Sequence, residues 1–172
     1  FFVRSVAKVI DVPTAKTDII YSGINQSGIN YDESETYYTI VNNDDTNSVI
    51  LAKDAGDYTA TFKLKDGCVW ADGTTTDKTV DWSIGKKEIT IGTVTSSDKT
   101  YDGNAEAVVS DVTFSGLEGT YSLTKDIDYT VTGAFENAIA GENKNVTVTV
   151  SLNDTTTANN YSLTDNTKIT KA

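Results

Sequence analysis

The chain has 172 residues with 14 Lys and Arg against 25 Asp and Glu, a net charge of −11; so acidic a surface repels the nucleic-acid backbone and offers no basic patch to an anionic membrane. Cys68 is the one cysteine, and histidine and methionine are absent, which excludes an internal disulfide, the usual thiolate and imidazole metal sites, and catalytic triads built on His. With 38% hydrophobic and 23% charged residues and no apolar run near the ~20 residues of a membrane span, the chain is expected to be soluble, folded and β-rich, without a cofactor.

The opening FFVRSVAKVI lacks the apolar core of a signal peptide, so any leader or anchor is expected outside these residues. Val9-Ile10-Asp11-Val12 reads as a first strand, and Tyr21-Ser22-Gly23 as a turn in which Gly takes φ > 0 while the Tyr ring closes the edge of the core. Asp32, Glu33 and Glu35 read as a solvated loop, followed by a strand at Tyr38-Thr39-Ile40-Val41. The polar run from Asn42 to Asn47 predicts a reversal. Its Asn43, Asp45 and Asn47 could offer oxygens to Ca²⁺, but the Gly and the distal Glu of an EF-hand loop are missing, so a hairpin loop without metal is expected.

From Tyr58 the pattern sharpens. Tyr58, Ala60, Phe62 and Leu64 share one face while Thr59, Thr61, Lys63 and Lys65 share the other, the period of a strand with one wet side. Lys63 and Lys65 then face solvent, which argues against a Lys–Asn isopeptide crosslink, because that chemistry needs a desolvated, uncharged Lys. Asp66-Gly67 and Asp72-Gly73 bracket Trp70, and Val80, Trp82 and Ile84 form a further stripe. Trp82 inside that stripe reads as core. Trp70 beside a turn has two readings, packing or an exposed ring on which a sugar stacks, and it is the one candidate ligand-binding residue.

The second half repeats the landmarks of the first in the same order. Ser83-Ile84-Gly85-Lys86 matches Ser5-Val6-Ala7-Lys8, and Lys87-Glu88-Ile89-Thr90-Ile91 is again a first strand. Tyr101-Asp102-Gly103 repeats the Tyr-x-Gly turn, Tyr129-Thr130-Val131-Thr132 repeats Tyr38-Thr39-Ile40-Val41, and Ala140-Gly141-Glu142 repeats Ala55-Gly56-Asp57. The stretch Ala134 to Ala140 is the nearest helical candidate and is short. Val146, Val148, Val150 and Leu152 then alternate with Thr147, Thr149 and Ser151, and Ile169-Thr170-Lys171 resembles a further junction. Six to eight short strands per half, without a helical period, predict an all-β chain of two tandem immunoglobulin-like β-sandwich domains, 1–86 and 87–172. β-grasp-like modules are the alternative, though they need a helix packed on the sheet.

Lys99-Thr100-Tyr101-Asp102-Gly103-Asn104, Gly116-Leu117, Asp128-Tyr129-Thr130-Val131, Ala140-Gly141 and Asn160-Tyr161-Ser162-Leu163 together resemble the YDG repeat family of bacterial surface proteins. The first half, with Ala55-Gly56-Asp57-Tyr58-Thr59-Ala60, Trp70-Ala71-Asp72-Gly73-Thr74-Thr75-Thr76 and Trp82-Ser83-Ile84, is similar to the related Ig-like and MBG repeats of Gram-positive cells, with Ser22 where the repeat's name has Asp. The resemblance implies secreted or wall-anchored proteins in which such modules serve as stalks or adhesive repeats, and it supplies no catalytic residues. Mucin binding is attached to the names of some relatives. The expectation is a non-catalytic, monomeric module of a bacterial cell surface, extracellular, whose partners are neighbouring repeats. The alternative is an adhesin module that recognises mucin-type glycans or a host matrix protein.

Overall fold

In a computed structural model, residues 6–32, 36–41 and 50–172 are described, and they divide into two compact units, Phe1–Gly85 and Lys86–Ala172. Among the described residues every regular element is a strand except one 3₁₀ turn, Ala158–Asn160. The nearest helical candidate, 134–140, is not helical: Ala134 and Phe135 end a strand and the chain then turns. Gly133, Ala134 and Phe135 each pair with Val148, Thr147 and Val146 of the neighbouring strand, and a seven-residue ladder outweighs the weak helix preference of so short a segment.

Unit 1 contains β1 (Lys8–Ile10), β2 (Thr14–Ala15), β3 (Gln26–Ser27), β4 (Ile29–Asn30), β5 (Tyr38–Ile40), β6 (Leu51–Ala52), β7 (Gly56–Leu64), β8 (Cys68–Trp70) and β9 (Lys78–Ile84). Its largest sheet is antiparallel, in the order β5-β7-β9, with Tyr38 opposite Leu64 and Tyr58 opposite Trp82. The predicted stripes hold: Ala60, Phe62, Trp82 and Ile84 are buried, each such side chain contributing about 1.5–3 kcal/mol when large. The Asp66-Gly67 turn does not make a hairpin. Gly67, at φ +82°, sends the chain out of the β7 sheet, so that β8 pairs in parallel with β1, Ile10 opposite Trp70.

Unit 2 contains β10 (Lys87–Ser96), β11 (Glu106–Ala107), β12 (Val109–Ser115), β13 (Tyr129–Phe135), β14 (Asn145–Leu152), β15 (Tyr161–Leu163) and β16 (Thr167–Lys171). One sheet runs β12-β10-β15 and the other β11-β13-β14-β16. A single core draws on both: Ile91, Val94, Val109 and Val112 from the first meet Tyr129, Val146, Val148 and Val150 from the second. Alternation places these residues inward and Thr130, Thr132, Thr147 and Ser151 outward. Phe114 meets the Tyr129 ring edge-on at 5.0 Å between centroids, a favoured aromatic geometry.

Candidate functional site: the turn at Tyr101–Gly103

Between β10 and β11 the chain reads Lys99-Thr100-Tyr101-Asp102-Gly103-Asn104. An Asp before Gly closes a tight turn because its carboxylate accepts the backbone N–H two residues on. Here the Asn104 N–H donates to Asp102 Oδ1 at 3.1 Å and the Asn104 side-chain amide to Oδ2 at 3.0 Å, while Gly103 takes φ +81°. Asn104 Oδ1 in turn accepts the Glu106 N–H at 2.9 Å. The Lys99 ammonium sits in the middle, 2.9 Å from Asp102 Oδ1, donating to Glu106 O at 3.0 Å and to Asn104 Oδ1. Lys99 first, then the Asn104 N–H, hold the Asp102 carboxyl below its ordinary pKa. All three ammonium donors are thereby engaged within the loop.

A second Lys-pinned loop faces it. Asn137 Oδ1 accepts the Ile139 N–H at 3.0 Å, and Lys144 Nζ donates to Asn137 O at 2.7 Å and to Ile139 O. Between the two loops lies a cleft of about 480 Å³ lined by Tyr101, Asn104, Phe135, Ile139 and Glu142 among others. Its apolar lining includes Phe135, the Tyr101 ring at 68% exposure, and the exposed Ile139. Because both lysines are bonded within their own loops while Asp98 and Glu142 are among the lining residues, the cleft disfavours anions and presents hydrogen-bond acceptors next to an aromatic face.

The matching turn in unit 1 is built the other way round. Gly23 again has positive φ, +75°, but Tyr21 is only 2% exposed and its N–H donates to Gly85 O at 2.9 Å. The shared Gly geometry is as expected. The ring's role is not shared, and Tyr101 does not cap the core: a loop held by Lys99, Asp102 and Asn104 through polar bonds leaves its ring free to turn outward. Ser22, in the place of Asp102, buries a hydroxyl that has no hydrogen-bond partner among the described residues.

The structure places Trp70 in the core of unit 1. Its exposure is 0%, its indole N–H donates to Thr76 O at 2.8 Å, and Tyr38 lies against it at 6.2 Å between ring centroids. A ring with no open face cannot stack on a sugar, so packing is the reading that stands. The Asp72-Gly73 turn beside it is closed by Asp72, which accepts from the Thr74 N–H at 2.9 Å and pairs with Lys78 at 2.5 Å. Asn43, Asp45, Asn47, Glu33 and Glu35 lie outside the described residues. Among the described residues no group of three His, Cys, Asp or Glu side chains could hold a metal ion, and no helix is long and apolar enough to cross a membrane.

Sequence reasoning missed the two lysine pins and the open Tyr101 ring. The available signal was a Lys three residues before Asp-Gly and another three after Gly141. No curated protein and no solved structure matches the chain. A YDG domain is found at residues 85–168, from two residues before β10 into β16 and including the Tyr101-Asp102-Gly103 turn.

Proposed function

We propose that the chain is a pair of non-catalytic spacer modules from an extracellular bacterial surface protein, each an immunoglobulin-like β-sandwich. The observation that carries this reading is the junction. β9 ends at Ile84 and β10 begins at Lys87, leaving Gly85 and Lys86 as the connection. Gly85 is itself bonded to Ile19 O at 2.7 Å and to the Tyr21 N–H at 2.9 Å, while Lys87 already pairs with Tyr161. Two residues thus join two units that each close their own backbone pairings, the arrangement expected of modules in a tandem array.

Two copies of one module would also account for the matched pairings. Tyr38 and Ile40 stand opposite Leu64 and Phe62, as Tyr129 and Val131 stand opposite Leu152 and Val150. Asp72 accepts from the N–H and hydroxyl of Thr74 just as Asp165 does from Thr167. The reading requires two separable unfolding transitions, one for each unit. One cooperative transition would overturn it.

The Tyr101 cleft favours a second reading, an adhesin that holds a neutral glycan of the mucin type. An open aromatic face beside amide and carboxylate acceptors, with no free cation, fits a ring of hydroxyls better than it fits an anion. Residues 1–172 applied to a glycan array should retain neutral sugars and lose them with Tyr101→Ala. Retention that is indifferent to that substitution, or none at all, removes the reading.

A further inference from the structure

We infer that unit 2 contains a mechanical clamp in which the first strand is gripped, along nearly its whole length, by the last segment of the unit running in the same direction. The pairing begins as a backbone ladder: β10 and β15 are parallel, with Lys87 opposite Tyr161, Glu88 opposite Ser162 and Ile89 opposite Leu163. The Thr164 N–H extends it with a bond to Ile89 O at 3.0 Å. The chain then crosses into the other sheet as β16, where its backbone pairs with β14, yet it continues to track β10 through side chains. Lys168 Nζ donates to Ile91 O at 3.1 Å and to Gly92 O, the Thr170 hydroxyl to Val94 O at 3.4 Å, and the Ser96 hydroxyl to Lys171 O at 3.2 Å. Residue numbers rise together on both sides from 87 and 161 to 96 and 171, so the two segments are parallel throughout.

A break in β10 makes this handover possible. Its register against β12 shifts between Ile91 and Val94, and across the shift the Thr93 N–H bonds to the Thr113 hydroxyl at 2.7 Å. Gly92 fits the gap because a Cβ there would lie 2.6 Å from Thr113 Oγ1. Such a bulge bends a strand and re-aims its free groups. Here it leaves the Ile91 and Gly92 carbonyls to Lys168.

Direction decides how such bonds fail. When two neighbouring strands are parallel and the unit is pulled from its two ends, they slide past one another, and every bond between them is loaded at once. An antiparallel pair pulled the same way opens one bond at a time. Unit 1 lacks the continuous arrangement among its described residues. Its parallel pairing comes in two separate pieces, β1 with β8 over Lys8–Ile10 and a single bridge of Ile20 with Gly85. Unit 2 should therefore resist tension better than unit 1, wherever the protein resides.

Single-molecule pulling on the full 1–172 chain, tethered at both ends, tests this. Five glycines inserted after the exposed Gly141 mark the event of unit 2, lengthening its release by about 17 Å at 3.3–3.6 Å per residue. The marked event should be the stronger of the two. Lys168→Met combined with Thr170→Val removes the side-chain bonds and should lower its force roughly 1.5-fold, since fewer bonds share the load, while the urea midpoint of unit 2 changes little. Thr170→Val alone, close to isosteric, decides the case by the same criteria if the double variant does not fold. A marked event that is the weaker one, a force unmoved by the substitutions, or a force that falls only in step with the urea midpoint would overturn the clamp.

Discussion

Gly28 lies flat against the indole of Trp82: a Cβ built on Gly28 would sit 1.7 Å from Trp82 Cε3 and 1.9 Å from Cδ2. Tyr58 stacks at 4.7 Å between ring centroids. The Trp82 ring is thus close against bare backbone at Gly28, and the obstacle to a side chain there is a rigid ring rather than a flexible tip. Overpacking typically costs about 1–3 kcal/mol, and a contact this short belongs at or above the upper end of that range. Gly28→Ala should lower the unfolding midpoint of unit 1 accordingly. Trp70 and Trp82 are the only tryptophans and both lie in unit 1, so tryptophan fluorescence reads that unit alone, and calorimetry should find the other transition in place.

The two Tyr-x-Gly turns offer a matched pair of substitutions. Tyr21 is buried, so Tyr21→Ala should cost about 3–5 kcal/mol, the range for large aromatic truncations. Tyr101 is exposed, so Tyr101→Ala should change stability by under about 0.5 kcal/mol. Equal losses in urea titrations of the two variants would contradict the different roles of the rings.

Why one ring could be foreseen and the other could not follows from what a sequence encodes locally. The stripes Tyr58–Leu64, Val80–Ile84 and Val146–Leu152 were legible because a period of two fixes which face a side chain takes. Gly23 and Gly103 were legible as positive-φ positions, since residues with a Cβ resist that conformation. Partner choice was not legible. Nothing local says that Cys68–Trp70 leaves β7 for β1, or that Tyr161–Leu163 joins β10, because those pairings depend on residues some sixty to seventy-five positions apart. Trp70 was ambiguous for the same reason: its burial comes from Tyr38 and Ile10, both distant in sequence. Tyr101 was misread because the bonds that release it, from Lys99 and Asn104, replace the apolar anchoring its twin receives.

Acid should erode both units through carboxylates that are hydrogen-bonded when folded. Asp72 is held well below its ordinary value of 3.8 by Lys78, then by the Thr74 hydroxyl and N–H. Asp102 is lowered from 3.8 by Lys99 first, and Asp165 by the Thr167 N–H first. Since the folded pKa lies below the unfolded one, these groups stabilise fully above about pH 3.8 and lose that contribution as pH falls through their folded values. Thermal midpoints should accordingly decline below pH 3.8. Asp72→Asn should flatten the decline seen by tryptophan fluorescence in unit 1 and leave the calorimetric acid response of unit 2 as it was.

Asp128 supplies the last test, at the entrance to β13. It is buried, and its carboxylate accepts the Thr124 N–H at 2.8 Å on one oxygen and the Thr155 hydroxyl at 2.7 Å on the other. Its backbone carbonyl takes the Asn153 N–H at 2.8 Å. One side chain therefore ties the loop before β13 to the loop after β14. Asp128→Ala strands both donors; an unsatisfied group costs about 1–3 kcal/mol when buried, and since these bonds are part-buried unit 2 should lose roughly 1–3 kcal/mol. Asp128→Asn keeps one carbonyl acceptor and should lose about half as much. Hydrogen exchange localises the effect: the Thr124 amide should lose protection in Asp128→Ala and keep part of it in Asp128→Asn, whereas the Val148 amide in the β13–β14 ladder should weaken only with the global stability. Equal exchange of Thr124 in both variants and in the parent chain would mean that the carboxylate does not hold that loop.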